Sequence, residues 1–181
     1  MPKGEKTAMP ERSDAAKRNA RIFLCSACVW LVLDTITKER ANGGSVGELL
    51  SQGIPGLFDF RLVHNTGAAW GVLGDATFAL GVFAVVFCLL LLLVAHVRRE
   101  RANALEMLGY GLVLAGGIGN AIDRLVSGYV VDFIELTFID FPVFNVADIG
   151  VTCGFVMIVC AYIASERKAQ ARVDAHEGQE V

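Results

Sequence analysis

Charge is scarce in this 181-residue chain. Charged residues make up 19% and hydrophobic residues 54%, against about 25% and about 45–50% in an average soluble domain. Between Phe78 and Val97 there is no Lys, Arg, Asp or Glu. With a mean hydropathy of +0.52, this rules out a disordered chain and argues against an ordinary soluble enzyme. Proline is also rare, and Pro2, Pro10, Pro55 and Pro142 all fall outside the long apolar runs, as continuous helices require. The three histidines, His64, His96 and His176, are scattered, so a metal centre has little support and no cofactor is expected. The five cysteines, Cys25, Cys28, Cys88, Cys153 and Cys160, lie within apolar runs, away from any polar loop where an oxidising compartment would pair them. Cys25-x-x-Cys28 has no second pair and no nearby His, so it reads as packing. No Ser or Cys sits near a His in a nucleophile arrangement. Gly116-Gly-Ile-Gly119 follows no strand, so it is not a phosphate loop. A net charge of −3 gives nucleic acid nothing to bind.

What the chain does have is long apolar runs. A bilayer core of about 30 Å needs roughly 20 apolar helical residues. Four stretches qualify: 21–37, interrupted by Asp34; 78–97; 104–123, rich in glycine; and 146–164. Only helices and closed barrels satisfy their backbone in lipid, and these runs are too long and continuous for barrel strands. The fold expected is an all-α membrane protein with four transmembrane helices. A cleaved signal peptide is the rival reading of the first run. Its long polar leader, with Asp34 and Lys38 directly after the apolar stretch, favours a retained helix.

Twelve of the 16 Lys and Arg residues lie in the N-terminal segment, the link between the second and third runs, and the C-terminal segment. The positive-inside bias therefore puts both termini in the cytoplasm and the 38–77 and 124–145 loops outside. Within those loops, 57–63 and 129–136 are aromatic and β-branched and read as strands of a small extracytoplasmic sheet. Val46–Leu50 reads as a short interfacial helix. The expected organisation is a four-helix membrane domain over 19–165, flanked by disordered cytoplasmic tails at 1–18 and 166–181.

Ionisable residues within membrane helices are costly, so each is a candidate for function. Asp34, Asp123 and Asp148 fall at similar depth near the outer interface. Asn120-x-x-Asp123 and Asn145-x-x-Asp148 repeat one pattern, and three-residue spacing puts each Asn on the face of its Asp. Arg124 follows Asp123. The structural alternatives are a capping box at Asn145 and Asp148, an interfacial pair at Asp123 and Arg124, and an i,i+4 ion pair between Asp34 and Lys38. Two close carboxylates share a proton, so one can take a proton from water while the other donates to a carbonyl oxygen. That is metal-free peptide hydrolysis. A proton relay in a small membrane transporter is the other reading. Placing all three acids near one face does not trace a path across the membrane, which weakens it.

Five segments in order carry a resemblance: Asp34-Thr-Ile-Thr-Lys38, Asn65-Thr-Gly-Ala-Ala-Trp-Gly71, Gly116-Gly-Ile-Gly-Asn-Ala-Ile-Asp-Arg124, Gly128-Tyr-Val-Val-Asp-Phe133 and Phe144-Asn-Val-Ala-Asp148. Over about 20–165 the chain resembles lipoprotein signal peptidase (signal peptidase II), a bacterial intramembrane aspartic peptidase. The resemblance implies cleavage of the signal peptide from a prolipoprotein, just before a diacylglyceryl-modified cysteine, in the cytoplasmic (inner) membrane. Site and substrate would meet near the outer face, in contact with membrane lipid. It implies Asp123 and Asp148 as the catalytic pair, and Asn65, Asn120, Arg124 and Asn145 as substrate-binding residues. Asp34 and Lys38 would hold the first helix near the site, and globomycin-type peptide antibiotics would block the cleft. The Gly-x-Gly-Asp signature of another class of intramembrane protease is missing, since Asn120 follows Gly117-Ile-Gly119.

Overall fold

The computed structural model describes residues 8–67 and 76–177. Its long helices are α1 (Ala8–Ala41), α2 (Thr77–Arg98), α3 (Ala104–Ile122) and α4 (Val146–Glu177). Among the described residues, four helices are long and apolar enough to cross a membrane: Asp14–Ala41, Thr77–Arg98, Ala104–Ser127 and Val146–Ala171. The helix α3 sits at the centre, packed against α1, α2 and α4. Small residues allow that close approach. A Cβ on Gly109 would fall 2.6 Å from the Gly154 carbonyl oxygen, and a Cβ on Gly154 equally close to that of Gly109. The outer helices keep large apolar side chains such as Phe83, Leu89, Leu93 and Phe155 exposed, as a lipid-facing surface should.

Local chemistry sets the ends of α3. Asn103 caps its start by accepting a hydrogen bond from the Glu106 amide at 2.9 Å. At the other end the helix widens into a π turn over Asp123–Ser127, which Gly128 closes at φ 80°. Such a turn re-aims the chain and recurs at functional sites. It hands the chain to β3 (Val130–Leu136), which joins β1 (Leu49–Ile54) and β2 (Phe58–Asn65) in an antiparallel sheet ordered β1-β2-β3. Leu62, Val131, Phe133 and Ala41 form a small core of buried residues that fixes the sheet on the helix ends.

Three expectations need correction. Val46–Leu50 is no helix: Gly47 has φ +84°, and Leu49–Ile54 pairs with β2 through two register irregularities. Pairing along an otherwise open β2 edge outweighs local helix propensity there. The flanks are also more ordered than composition suggests. The α1 helix begins at Ala8 and α4 runs to Glu177, helped by i,i+3 and i,i+4 contacts such as Lys17–Asp14 and Gln170–Asp174. Residues 1–7 and 178–181 of the tails lie outside the described residues. The remaining correction concerns Cys25 and Cys28, which are exposed on the outside of α1 rather than packed, whereas Cys88 is buried; all five cysteines are free.

Candidate active site

The polar residues of the helix ends and the sheet meet in one buried network. Asp34, 1% exposed, accepts from the Ala147 amide at 2.9 Å and pairs with Lys38 at 2.9 Å. The same ammonium reaches Asp123 at 2.9 Å and Asn120 Oδ1 at 2.9 Å. Asn120 passes the chain onward, its amide donating to Asp148 Oδ1 at 2.8 Å. Asn145 and Asp148 bond reciprocally at 3.0 and 3.1 Å, side chain to backbone amide in both directions. That is the capping box expected as a structural alternative, and it leaves Asp148 facing the site.

Asn145 is the hub. It is fully buried, and its side-chain amide lies 2.7 Å from Asp132 Oδ1, 3.1 Å from Asn120 Oδ1 and 3.3 Å from the Val131 carbonyl. Asn65 donates to the second oxygen of Asp132 at 2.9 Å and accepts from the Gly67 amide at 2.9 Å. Arg124 donates to the Gly67 carbonyl at 3.1 Å and the Asn120 carbonyl at 3.3 Å, so it clamps the turn after β2 to the end of α3. It is not the ion-pair partner of Asp123. Residues 68–71 of the Asn65–Gly71 motif lie outside the described residues.

A cavity of about 470 Å³ opens against this network. Asn65, Asn120, Arg124, Asp132 and Asp148 give it a polar floor. Its walls are mainly apolar, with Leu136, Phe141, Phe144 and Ile149 among them. Asn145 lies beneath the floor instead of lining it. The expected partnership of Asp123 with Asp148 is not the one the structure assembles. Asp123 does not line the cavity: it turns toward Lys38 of α1 and accepts from the Val131 amide at 3.3 Å. Asp148 shares the floor with Asp132 of β3. Burial pushes the Asp132 carboxyl up to about 7, and the Asp148 charge pushes it the same way, against the hydrogen bonds from Asn65 and Asn145 and the charge of Lys38. Helix spacing pairs each Asp with an Asn on its own helix, but the pairing of Asp132 with Asp148 crosses from a strand to a helix. One signal for Asp132 was in the sequence: a lone acid inside the apolar stretch Val130-Val131-Asp132-Phe133.

Comparison with known proteins gives this geometry a family. The family model for signal peptidase (SPase) II matches residues 26–164. The chain belongs to the signal peptidase II family. Among curated relatives, the lipoprotein signal peptidase of Nostoc punctiforme is 38% identical over 160 residues, covering 85% of this chain and 97% of its own. That of Staphylococcus haemolyticus is 34% identical, covering 78% and 90%. A bacterial membrane enzyme solved by the in meso method superposes with a TM-score of 0.71 at 28% identity, over 80% of this chain and 88% of its own. As a signal peptidase II family member with four spanning helices, the chain is a multi-pass bacterial membrane peptidase. The transporter reading finds no support among these relatives.

Proposed function

We propose that the chain removes signal peptides from prolipoproteins as an aspartic endopeptidase whose acid–base pair is Asp132 and Asp148. The observation that carries the pair is their shared place on the floor of one cavity, with the charge of one raising the proton affinity of the other. Close carboxylates hold one proton between them near neutral pH. The ionised member takes a proton from water as its oxygen attacks the scissile carbonyl carbon. The neutral member gives its proton to the carbonyl oxygen. Collapse breaks the C–N bond, with a proton delivered to the leaving amine. Asn65, Asn120 and Arg124 hold the peptide backbone in the cavity, and the apolar walls receive the lipidated side of the substrate. Cleavage falls just before the diacylglyceryl-modified cysteine. A substrate anchored in the outer leaflet presents that bond at this depth when both termini are cytoplasmic. Globomycin-type peptides would compete for the same cavity. The working unit is the 19–165 region.

In this reading Asp123 is a positioning residue. It holds the Val131 amide, one residue before Asp132, and ties it to Lys38. The test is cleavage of a lipidated prolipoprotein peptide by purified variants. Asp132→Asn and Asp148→Asn should each stay folded and lose about 10²–10⁴-fold in rate. The double variant should be little worse than either single one, because the pair acts as a unit. Asp123→Asn should lose stability and activity together. A folded Asp132→Asn enzyme that keeps more than roughly a tenth of wild-type cleavage overturns the assignment. If Asp123→Asn alone stayed normally stable while losing all cleavage, the pair would be Asp123 and Asp148 instead.

A further inference from the structure

Asn120 lies between two groups that permit its side chain only one orientation. A lysine ammonium can only donate, and an ionised carboxylate can only accept. Lys38 Nζ donates to Asn120 Oδ1 at 2.9 Å, and the Asn145 side-chain amide reaches the same oxygen at 3.1 Å. Asn120 Nδ2 is thereby turned toward Asp148 Oδ1, at 2.8 Å. The other oxygen of Asp148 accepts from the Asn145 backbone amide at 3.1 Å. Both oxygens of Asp148 therefore face N–H donors whose direction is fixed from elsewhere. The second hydrogen of Asn120 Nδ2 remains for substrate.

The surroundings of the two floor aspartates differ. Asp148 is half-buried and lies in the first turn of α4, where the helix dipole favours negative charge. Of the acids around Arg124, Asp148 is the one whose charge acts most strongly on that guanidinium. Asp132 is 2% exposed and sits within β3. Its oxygens accept from Asn145 at 2.7 Å and from Asn65 at 2.9 Å, yet burial and then the Asp148 charge still push its carboxyl up to about 7. The other charged groups around the pair are Lys38 of α1, Asp123 and Arg124 of the π turn, and Asp140, which with His64 lines an adjoining pocket beside Asp132. The proton of the pair therefore rests on Asp132.

We propose that Lys38 is a positioning residue for the reaction: by holding the Asn120 carbonyl it aims the Asn120 amide at Asp148, which keeps Asp148 the base that takes a proton from water and leaves Asp132 the acid that protonates the scissile carbonyl oxygen. This rests on the pairing of Asp132 with Asp148 proposed above. Without the ammonium, Asp34 and Asp123 present carboxylates where the cation stood, and the Asn120 amide turns toward them. Its carbonyl oxygen then meets Asp148 Oδ1, an arrangement that holds only with a proton between the two oxygens. Asp148 takes up that proton and can no longer accept one from water.

The resting proton is read without substrate, from infrared spectra of purified full-length protein in phospholipid nanodiscs. Wild type should show a protonated-carboxyl band that fades as pH rises through about 7. Near neutral pH the band should be absent from Asp132→Asn. In Asp148→Asn it should persist and fade at lower pH, because the Asp148 charge no longer supports it. A band kept in Asp132→Asn and lost at every pH in Asp148→Asn reverses the two roles and overturns the proposal. Asn120→Asp tests the orientation itself, since it keeps the size and the Lys38 contact but puts an acceptor opposite Asp148. Asn120→Asp and Lys38→Met should each gain a carboxyl band near neutral pH that vanishes when Asp148→Asn is added. Each should lose about 10²-fold in kcat for a lipidated prolipoprotein peptide, with KM little changed. If Lys38→Met does not fold, Asn120→Asp decides alone. A folded variant that lacks the new band and keeps more than roughly a tenth of wild-type kcat reduces Lys38 to a structural ion-pair partner. A raised KM with kcat kept makes Asn120 a substrate ligand only, and the positioning role is wrong. Failure of wild-type cleavage would sink the proposed function, whereas the infrared bands would still show where the proton rests.

Discussion

Lys38→Met is the sharpest perturbation of the site's support. Lys38 is 5% exposed, and its ammonium meets Asp34, Asp123 and Asn120 Oδ1, each at 2.9 Å. Three partners use all three of its donors. Methionine keeps the length and most of the volume but removes the charge, leaving two carboxylates facing one another without a cation. Removing one partner of a buried ion pair costs about 3–5 kcal/mol. The Asp123 side chain is 19% exposed, so water offsets part of its loss and the expected cost sits near the lower end, about 3 kcal/mol. For a chain of this size that lowers Tm by about 6–12 °C. Adding Asp34→Asn removes one of the stranded charges while keeping a carbonyl oxygen for the Ala147 amide. The double variant should therefore recover about 1–3 kcal/mol relative to Lys38→Met alone. The assay is thermal unfolding of purified protein in detergent, followed by circular dichroism. A Lys38→Met protein within about 1 kcal/mol of wild type, or a double variant less stable than Lys38→Met, would refute the ion-pair reasoning.

Other outcomes follow from the same network. The folded Asp132 carboxyl sits at about 7 against 3.8 for an ordinary one, so the folded state binds this proton more tightly than the unfolded state. Its contribution to stability is full below about pH 4 and is lost as pH rises through about 7, up to about 4 kcal/mol. Asp132→Asn should then be more stable than wild type at pH 8, by about 2–3 kcal/mol after loss of one accepted hydrogen bond; unfolding melts at pH 5 and pH 8 check this, and a less stable variant at pH 8 contradicts it. Gly119 packs against the Asp34 carboxylate, so a Cβ there has no room beside Asp34 Oδ2. Gly119→Ala should cost about 1–3 kcal/mol and reduce cleavage, read by melts and peptide assay; a neutral result would mean that the α1–α3 contact is loose. Cysteines placed singly at 43–48 in a cysteine-free background should react with an impermeant thiol reagent in intact cells, and those at 99–103 should not. Labelling at 99–103 alone would invert the topology.

The sequence by itself determined the membrane fold. Charge-free and charge-poor runs long enough for a bilayer can be satisfied only as helices, and the observed spans contain all four predicted runs. It also determined β2 and β3, because residues such as Phe58, Phe60, Val130 and Val131 favour a pleated, half-buried surface. The Asp34–Lys38 and Asn145–Asp148 contacts were legible too, since i,i+4 and i,i+3 spacing acts within one helix. What tertiary structure alone decided lies between elements. β1 exists because β2 offers an edge, not because Leu49–Ile54 insists on a strand. Lys38 binds Asp123 as well as Asp34 because a glycine at 119 lets α1 and α3 close together. The π turn after Ile122 swings Asp123 away from the cavity and delivers Asp132 to it from a strand. Helix periodicity does not register that step, so the pattern Asn-x-x-Asp pointed to the network but not to Asp132, the member that we propose pairs with Asp148. Burial and the neighbouring Asp148 charge single out Asp132, and both exist only once the chain has folded.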